Sequence, residues 1–314
     1  MGVKGLLPQL KEIQEGLTLE RFRGKTLAID SYAWLHRSVF SCSWELAQDM
    51  ETTKYLSFFK KKVMMLKHFG IEPYFVFDGD HFESKNDTEI EREQNRIRNK
   101  EKGLEMLQNG NRKLAGEFFM KSIDVTPSMA KSIIEYLKSE NMKYVVAPYE
   151  ADPQLVYLEK LGLVDGIISE DSDLLIFGAR CLLTKLNDFG ECVEIRRENF
   201  KKCKAVPIGL MNESKLRMVA CLSGCDYTNG IPGIGIVKAF RLVKRHSNIS
   251  KCIMSLKLEG KTPVPAEFEM EYKKADVSFQ YQRVFNPITN EISTLNEVPS
   301  QIDEVLLLEC IGKL

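Results

Sequence analysis

Thr26-Leu27-Ala28-Ile29-Asp30 is a short apolar run that ends on a carboxylate, and the arrangement returns three more times along the chain. Tyr74-Phe75-Val76-Phe77 stops at Asp78-Gly79, Tyr144-Val145-Val146-Ala147 leads to Glu150-Ala151-Asp152, and Gly166-Ile167-Ile168 leads to Glu170-Asp171-Ser172-Asp173. Runs of this length and composition read as buried strands. An open α/β sheet places its chemistry just beyond the carboxyl ends of such strands. If the four are parallel neighbours, Asp30, Asp78, Glu150, Asp152, Asp171 and Asp173 meet in one crevice. Carboxylates that close repel one another, and divalent cations are the usual remedy. Hard oxygen donors with few nitrogen or sulfur ligands select Mg2+ or Mn2+ over zinc. Two such ions about 4 Å apart suit in-line hydrolysis of a phosphodiester. For any one of these acids the alternative is a helix cap, or a first-turn partner of the helix dipole.

The chain of 314 residues has ample apolar content for a core, and its formal net charge of zero argues neither for nor against nucleic acid. No apolar stretch approaches the roughly 20 residues that span a bilayer, and the N-terminus lacks a signal peptide's apolar core. Leu6 stands where a myristoylation signal after Gly2 wants Ser or Thr. The eight cysteines form no CxxC pair and read as buried free thiols of a reducing compartment. Cys181 to Leu186 and Cys192 to Ile195 flank the turn Asp188-Phe189-Gly190 as further strands, which favours a mixed sheet. The segment from Lys85 to about Lys138 is charged, rich in helix formers and without strand signals, so it is read as helices inserted over the sheet. From Asn212 onward the pattern is helical. Residues Glu304 to Leu314 are apolar and are read as cut from a longer chain.

Three further features bear on the substrate. At about 100° per residue, Lys85, Arg92 and Arg96 share a sector of one helical face, a cationic ladder that could meet phosphate. Asp87, Glu89, Glu91 and Glu93 lie among them, so solvated intrahelical ion pairs are the competing account. Gly230-Ile231-Pro232-Gly233-Ile234-Gly235 enters a helix carrying Lys238, Arg241, Lys244 and Arg245. Its backbone N–H groups could receive a phosphate, or it is a plain turn between helices. Asp226 lies just before it and would close the metal site. Tyr32 and His36 follow Asp30 at helical spacing and offer flat faces to a base. For Trp34, Phe40 and Trp44, core packing and a wedge against a duplex end are both open.

Met1-Gly2-Val3-Lys4-Gly5-Leu6-Leu7, Ala28-Ile29-Asp30, Val76-Phe77-Asp78-Gly79, Ala147-Pro148-Tyr149-Glu150-Ala151-Asp152, Glu170-Asp171-Ser172-Asp173-Leu174-Leu175 and Leu222-Ser223-Gly224-Cys225-Asp226-Tyr227 together resemble the 5′ nuclease family of flap endonuclease and exonuclease 1. Tyr32-Ala33-Trp34-Leu35-His36 and the Gly-Cys-Asp-Tyr run look more like exonuclease 1, especially its fungal forms. The resemblance implies an α/β fold with a central, mostly parallel mixed sheet flanked by helices, a helical arch and a C-terminal helix-two-turn-helix. It implies one catalytic domain over residues 1–300: an N-terminal nuclease region at 1–100, the arch at 80–130, an internal nuclease region at 138–230 and the helix-two-turn-helix at 215–250. Residues 301–314 would begin a C-terminal extension.

The same resemblance implies residue roles. Asp30, Asp78, Glu150, Asp152, Asp171, Asp173 and Asp226 would hold two Mg2+ ions, for which Mn2+ can substitute, directly or through water. Lys85 and Arg92 would steer the scissile phosphate and stabilise its developing charge, with Arg96 as a third basic residue. Tyr32 and His36 would stack on terminal nucleotides, and Gly2 would lie near the active site. The turn, with Gly233, Gly235 and Lys238, would grip the uncleaved strand around a K+ ligated by Ser223, Gly230 and Ile234. Gly230 replaces a residue with a side-chain oxygen in some relatives, which leaves its backbone as the ligand. Around Asn86, Asp87 and Glu91 the arch is less basic than the family pattern.

The expected activity is a 5′-to-3′ double-stranded DNA exonuclease with 5′ flap endonuclease activity, acting in mismatch repair, end resection and recombination. Its partners would be duplex DNA with 5′ ends, nicks, gaps or flaps, and mismatch-repair proteins through a tail not present here, with no membrane. A nuclear monomer is expected, with the mitochondrion as the alternative for a paralogue. A replication flap endonuclease, a DNA-structure-binding scaffold without cleavage and an acid-rich phosphatase are the competing readings.

Overall fold

The computed structural model describes residues 2–80 and 86–312, with the side chains at 86–89 and 91 excepted; Lys85 therefore lies outside the described residues. Nine strands are described: β1 (Gln14–Thr18), β2 (Thr26–Asp30), β3 (Glu72–Phe77), β4 (Lys143–Val146), β5 (Gly166–Ile168), β6 (Cys181–Thr184), β7 (Glu191–Arg196), β8 (Arg283–Asn286) and β9 (Glu291–Thr294). The first seven form one sheet in the order β1-β7-β6-β5-β2-β3-β4. The pairs β2–β3, β2–β5, β3–β4 and β5–β6 are parallel, and β6–β7 and β1–β7 are antiparallel. The four strands read from their terminal acids are thus the contiguous parallel centre of a mixed sheet.

Alternation along each strand builds two cores. Ala28, Tyr74, Val76 and Ile167 face one apolar cluster, while Leu27, Ile29, Phe75, Phe77 and Ile168 face the other. This is the period-2 alternation of a sheet covered on both faces. The first cluster is completed by helices Ala151–Lys160, Glu213–Ser223, Ile236–Arg245 and Phe268–Tyr281, and the second by Ser31–Val39, Lys54–His68 and Pro127–Ser139. All eight cysteines are free and seven are buried, as their scatter in the sequence implies. Among the described residues no helix is long and apolar enough to cross a membrane.

The inserted segment contains helices Asn86–Gln108 and Arg112–Ser122, followed by Pro127–Ser139. The last of these starts on a Thr126 cap with Pro127 in its first turn, and it buries Met129, Ala130, Ile133 and Leu137 against the sheet. The first two pair with each other over a small separate core. There Phe119 meets Trp44 edge-on at 5.1 Å, and a Cβ on Gly103 would strike the Phe119 ring.

Two elements escaped the sequence reading. β1 is the edge strand of the sheet, largely exposed and paired only with β7, so its pattern carries little apolar signal. The hairpin β8–β9 lies within the stretch read as helical, and Val284 alone among its eight strand residues is buried. Runs that short do not announce a period.

The end of β3 is welded to the loop after β4. The N–H of Gly79 donates to Tyr149 O at 2.6 Å and that of Asp80 to Pro148 O at 3.0 Å, while Asp78 Oδ1 accepts from Ala151 N at 2.7 Å. A Cβ on Gly79 would collide with the carbonyl oxygens of Ala147 and Pro148. Gly79→Ala is expected to cost about 1–3 kcal/mol of folding stability through this overpacking, read as an earlier urea midpoint in an equilibrium melt.

Candidate metal and nucleic-acid site

The chain runs outward from β2 through β3 to β4, then returns to place β5 on the other side of β2. A crevice opens at the carboxyl ends of strands where the order reverses in this way. Asp30 ends β2 there and caps helix Ser31–Val39 by accepting from Ala33 N at 3.0 Å. From the loop after β5, Ser169 Oγ donates to Asp30 Oδ2 at 2.7 Å and accepts from Asp171 N at 3.1 Å. Ser169 was not singled out in the sequence, where its place between strand and acids was the available signal.

A cavity of about 530 Å3 occupies the crevice, lined by Asp30, Asp78, Glu150, Asp152, Asp171 and Asp226 together with Asp80, Asp124, Tyr32, His36 and Arg92. Six of the seven acids thus share one wall system. Asp173 does not line it; its side chain is buried, and Oδ1 accepts from Val3 N at 2.7 Å. Its own N–H donates to Asp171 Oδ1 at 2.8 Å. Gly2 sits over the same group in a left-handed conformation at φ 78°, where a side chain would run into Asp171, Ser172 and Asp173. The N-terminal segment is therefore part of the site's wall.

Among the described residues no group of three or more His, Cys, Asp or Glu side chains is drawn tightly enough around one point to hold an ion. The carboxylates instead surround the cavity and turn oxygens onto backbone N–H groups, as mutual repulsion requires. The donor set itself, all carboxylate oxygens with one guanidinium nearby, fits a hard divalent cation. Burial pushes the Asp30 carboxyl above the usual carboxylate range, against the pull of its hydrogen bonds from Ala33 and Ser169. Burial also raises Tyr227 well above its ordinary value, and the charge of Glu150 adds to that.

Glu150 is buried at the position just before helix Ala151–Lys160, where its side chain makes no capping hydrogen bond. Its Oε2 receives the hydroxyl of Tyr227 and, at 2.9 Å, Nε2 of Gln282. Tyr227 belongs to the Leu222–Tyr227 run of the sequence, whereas no local pattern ties Gln282 to residues so far back in the chain.

Tyr32 and His36 both reach the cavity from one helix face, Tyr32 with its ring edge-on to Phe77 at 6.4 Å. Burial lowers the His36 pKa, opposed by the charges of Asp124 and Asp30, and burial raises that of Tyr32, aided by Asp78. Both rings are therefore neutral at pH 7. Trp34 belongs to the second core, against Phe59 and Phe75, and Phe40 is 48% exposed.

The arch arginines reach out of their own helix. Arg92 Nη2 lies 3.5 Å from Asp226 Oδ2, and Arg96 Nη2 lies 3.2 Å from Asp124 Oδ2. Both of these pairs join the helix to residues outside it. Gly230-Gly235 forms a separate turn. Ile231 N donates to Leu222 O at 3.1 Å, and Gly230, at φ 72°, presses so closely on Leu222 O and Gly224 that a side chain would not fit. Ser223 Oγ donates back to Val219 O at 2.9 Å, and Ile234 N to Ile231 O at 2.9 Å. Gly233 and Gly235 are exposed ahead of helix Ile236–Arg245, and Lys238 Nζ donates to Gly233 O at 2.9 Å.

The comparisons with known proteins agree with this architecture. The XPG N-terminal domain family matches residues 1–99 and the XPG I-region matches residues 141–226. Exodeoxyribonuclease 1 of Saccharomyces cerevisiae is 49% identical over 99% of this chain, which spans 45% of that protein. The DNA damage-inducible protein DIN7 of the same yeast is 46% identical over 99% of this chain, which spans 74% of its length. The chain thus spans about half the length of the first of these relatives and three quarters of the second. Among solved structures, the catalytic core of Rad2 in complex with DNA substrate superposes with a TM-score of 0.63 at 22% identity, covering 99% of this chain and 86% of that one, a likeness of fold. With two family matches and near-complete alignment to such relatives, this chain belongs to the XPG family of 5′ nucleases and is exonuclease 1-like.

Proposed function

We propose that this chain carries out Mg2+-dependent 5′-to-3′ exonuclease cleavage of duplex DNA, with 5′ flap cleavage as a second activity, in nuclear repair and recombination of broken or mismatched DNA. The observation that carries this reading is a cavity at the sheet's switch point, where eight carboxylates, among them six of the predicted acids, face Tyr32, His36 and Arg92. On this reading residues 1–300 act as one catalytic domain, with the internal regions set out under Sequence analysis.

Asp30, Asp78, Glu150, Asp152, Asp171 and Asp226 would hold the divalent ions, with Asp173 acting from behind through Asp171 and the Val3 backbone. Bound there, two such ions would supply an activated water and stabilise the leaving oxygen. Tyr32 and His36 present uncharged faces on which an unpaired terminal base can stack. Arg92, held at the rim by Asp226, is within reach of a phosphate that enters the same cavity, and Lys85 is assigned to the same work from the resemblance. The exposed N–H groups of Gly233 and Gly235 at a helix start, with Lys238, suit the phosphates of the uncleaved strand. For K+, the carbonyls around Ser223, Gly230 and Ile234 are the proposed ligands, since Gly230 contributes backbone alone.

A labelled duplex with a nick or a recessed 5′ end, incubated with Mg2+, should release products from the 5′ end, and Asp171→Ala should abolish that release. Cleavage unaffected by the substitution would sink the metal assignment. A 5′ flap of the same sequence cut much faster than the recessed end would instead favour a flap endonuclease, and binding with no cleavage in any divalent metal would favour a scaffold.

Affinity for duplex DNA should fall steeply between 50 and 200 mM salt, because Lys and Arg contacts release counterions, by about tenfold or more for a handful of contacts. Lys238→Ala should flatten that slope in a fluorescence-anisotropy titration. A slope unchanged by the substitution would remove Lys238 from the phosphate contacts.

The raised pKa of Asp30 means that the folded protein holds this proton more tightly than the unfolded chain does. Without metal, its contribution to stability is present in acid and is lost as pH rises through the raised value. Asp30→Asn keeps the cap and removes that loss. Metal-free melting curves should therefore show the variant gaining on the parent as pH rises towards neutral, while Mg2+ stabilises the parent far more than the variant. Equal gains with Mg2+ would contradict the assignment.

A further inference from the structure

Gln282 caps the end of helix Phe268–Tyr281 at the step into β8, and its side chain is fully buried. Its Nε2 lies 2.9 Å from Glu150 Oε2 and 2.7 Å from Tyr227 Oη, and the Tyr227 hydroxyl donates to that same carboxylate oxygen. Three polar atoms thus close a triangle in which Glu150 Oε2 accepts twice. At the other end of the amide, Gln282 Oε1 is buried with no hydrogen-bond partner among the described residues. Turning the amide over would set a carbonyl oxygen against a carboxylate, so the charge of Glu150 dictates which end faces it. Leaving a buried carbonyl unsatisfied is unfavourable, and the donor end is what the structure keeps in exchange.

The backbone beyond Gln282 holds the same segment a second time. Gln154, on the helix that carries Asp152, donates through Nε2 to Phe285 O at 2.8 Å and accepts from Phe285 N at 2.7 Å through Oε1. Both contacts come from residues beyond 226, where the second family match ends.

We propose that Gln282 is a positioning residue for the metal site. Together with Tyr227 it pins Glu150 Oε2 and sets the orientation in which that carboxylate meets a divalent cation. The inference rests on the metal reading given under Proposed function.

Gln282→Met preserves length and bulk while removing the donor and the orphaned carbonyl. Mn2+ titration of the DNA-free protein by calorimetry, with melting curves in the absence of metal, separates positioning from folding. The variant should melt close to the parent without metal, because loss of the orphaned carbonyl offsets the donor that Glu150 and Tyr227 lose. Its Mn2+ affinity should fall by about tenfold, as for other partners that orient a ligand. In the Glu150→Gln background the further loss on adding Gln282→Met should vanish, since the effect passes through Glu150. Mn2+ affinity equal to the parent's, or losses that simply add, would overturn the proposal. If Gln282→Met fails to fold, Tyr227→Phe removes one hydroxyl from the same triangle and answers to the same criteria. A parent that binds no Mn2+ removes the metal reading and this inference together; Mn2+ binding indifferent to both variants removes this inference alone.

Discussion

Mutual repulsion among carboxylates gathered at the ends of parallel strands is the constraint on which the rest of this structure turns. Parallel pairing brings Asp30, Asp78 and the acids after β4 and β5 to one edge, and burial of Asp30, Glu150, Asp171 and Asp173 weakens the screening by water. Each of several acids is held apart by a backbone N–H: Ala33 for Asp30, Ala151 for Asp78, Asp173 for Asp171 and Val3 for Asp173. Those donors stand at helix starts or in the N-terminal segment, where backbone N–H groups have no partner within a helix. The same geometry therefore creates the crowding and supplies the hydrogen bonds that relieve part of it. What remains is a demand for positive charge, which Arg92 meets in part from the arch and divalent cations would meet more fully.

This balance explains why elements remote in sequence converge on so small a volume. The first residues of the chain lie against Asp171 and Asp173, so Gly2 tolerates no side chain. The loop carrying Asp226 is tied to the helix Phe268–Tyr281 through Thr228 and Glu271, 2.8 Å apart, and Glu150 is held by Tyr227 and Gln282. A cavity whose carboxylates come from five stretches of chain needs such external bracing to hold its shape. The cavity's uncharged walls, Tyr32 and His36, follow from the same burial: desolvation outweighs the attraction of neighbouring carboxylates for a protonated imidazole.

Much of this was legible in the chain itself. The strand ends were readable because a buried parallel strand is a continuous apolar run and its terminal acid breaks the run abruptly. The helical insertion was readable from its charge and its lack of β-branched runs, and the glycine turn from its composition. β1 and the β8–β9 hairpin were not, because edge and surface strands of four or five residues bury too little to impose a period. Asp173, at the first position of helix Asp173–Phe177, accepts from Val3 N and does not line the cavity, while Asp171, before the N-cap Ser172, does.

By itself the sequence determined which residue types stand at the strand ends, the order of the elements and the family. These depend on near neighbours, whose spacing is fixed by strand and helix geometry. Only the tertiary structure decided that Arg92 reaches Asp226, that Gly230 leaves no room for a side chain, and that Gln282 stands behind Glu150. Those contacts join residues many positions apart, and nothing in a local pattern encodes which distant side chain will fill a given hydrogen bond. The chemistry is written at the ends of strands, and its alignment depends on how the chain packs around them.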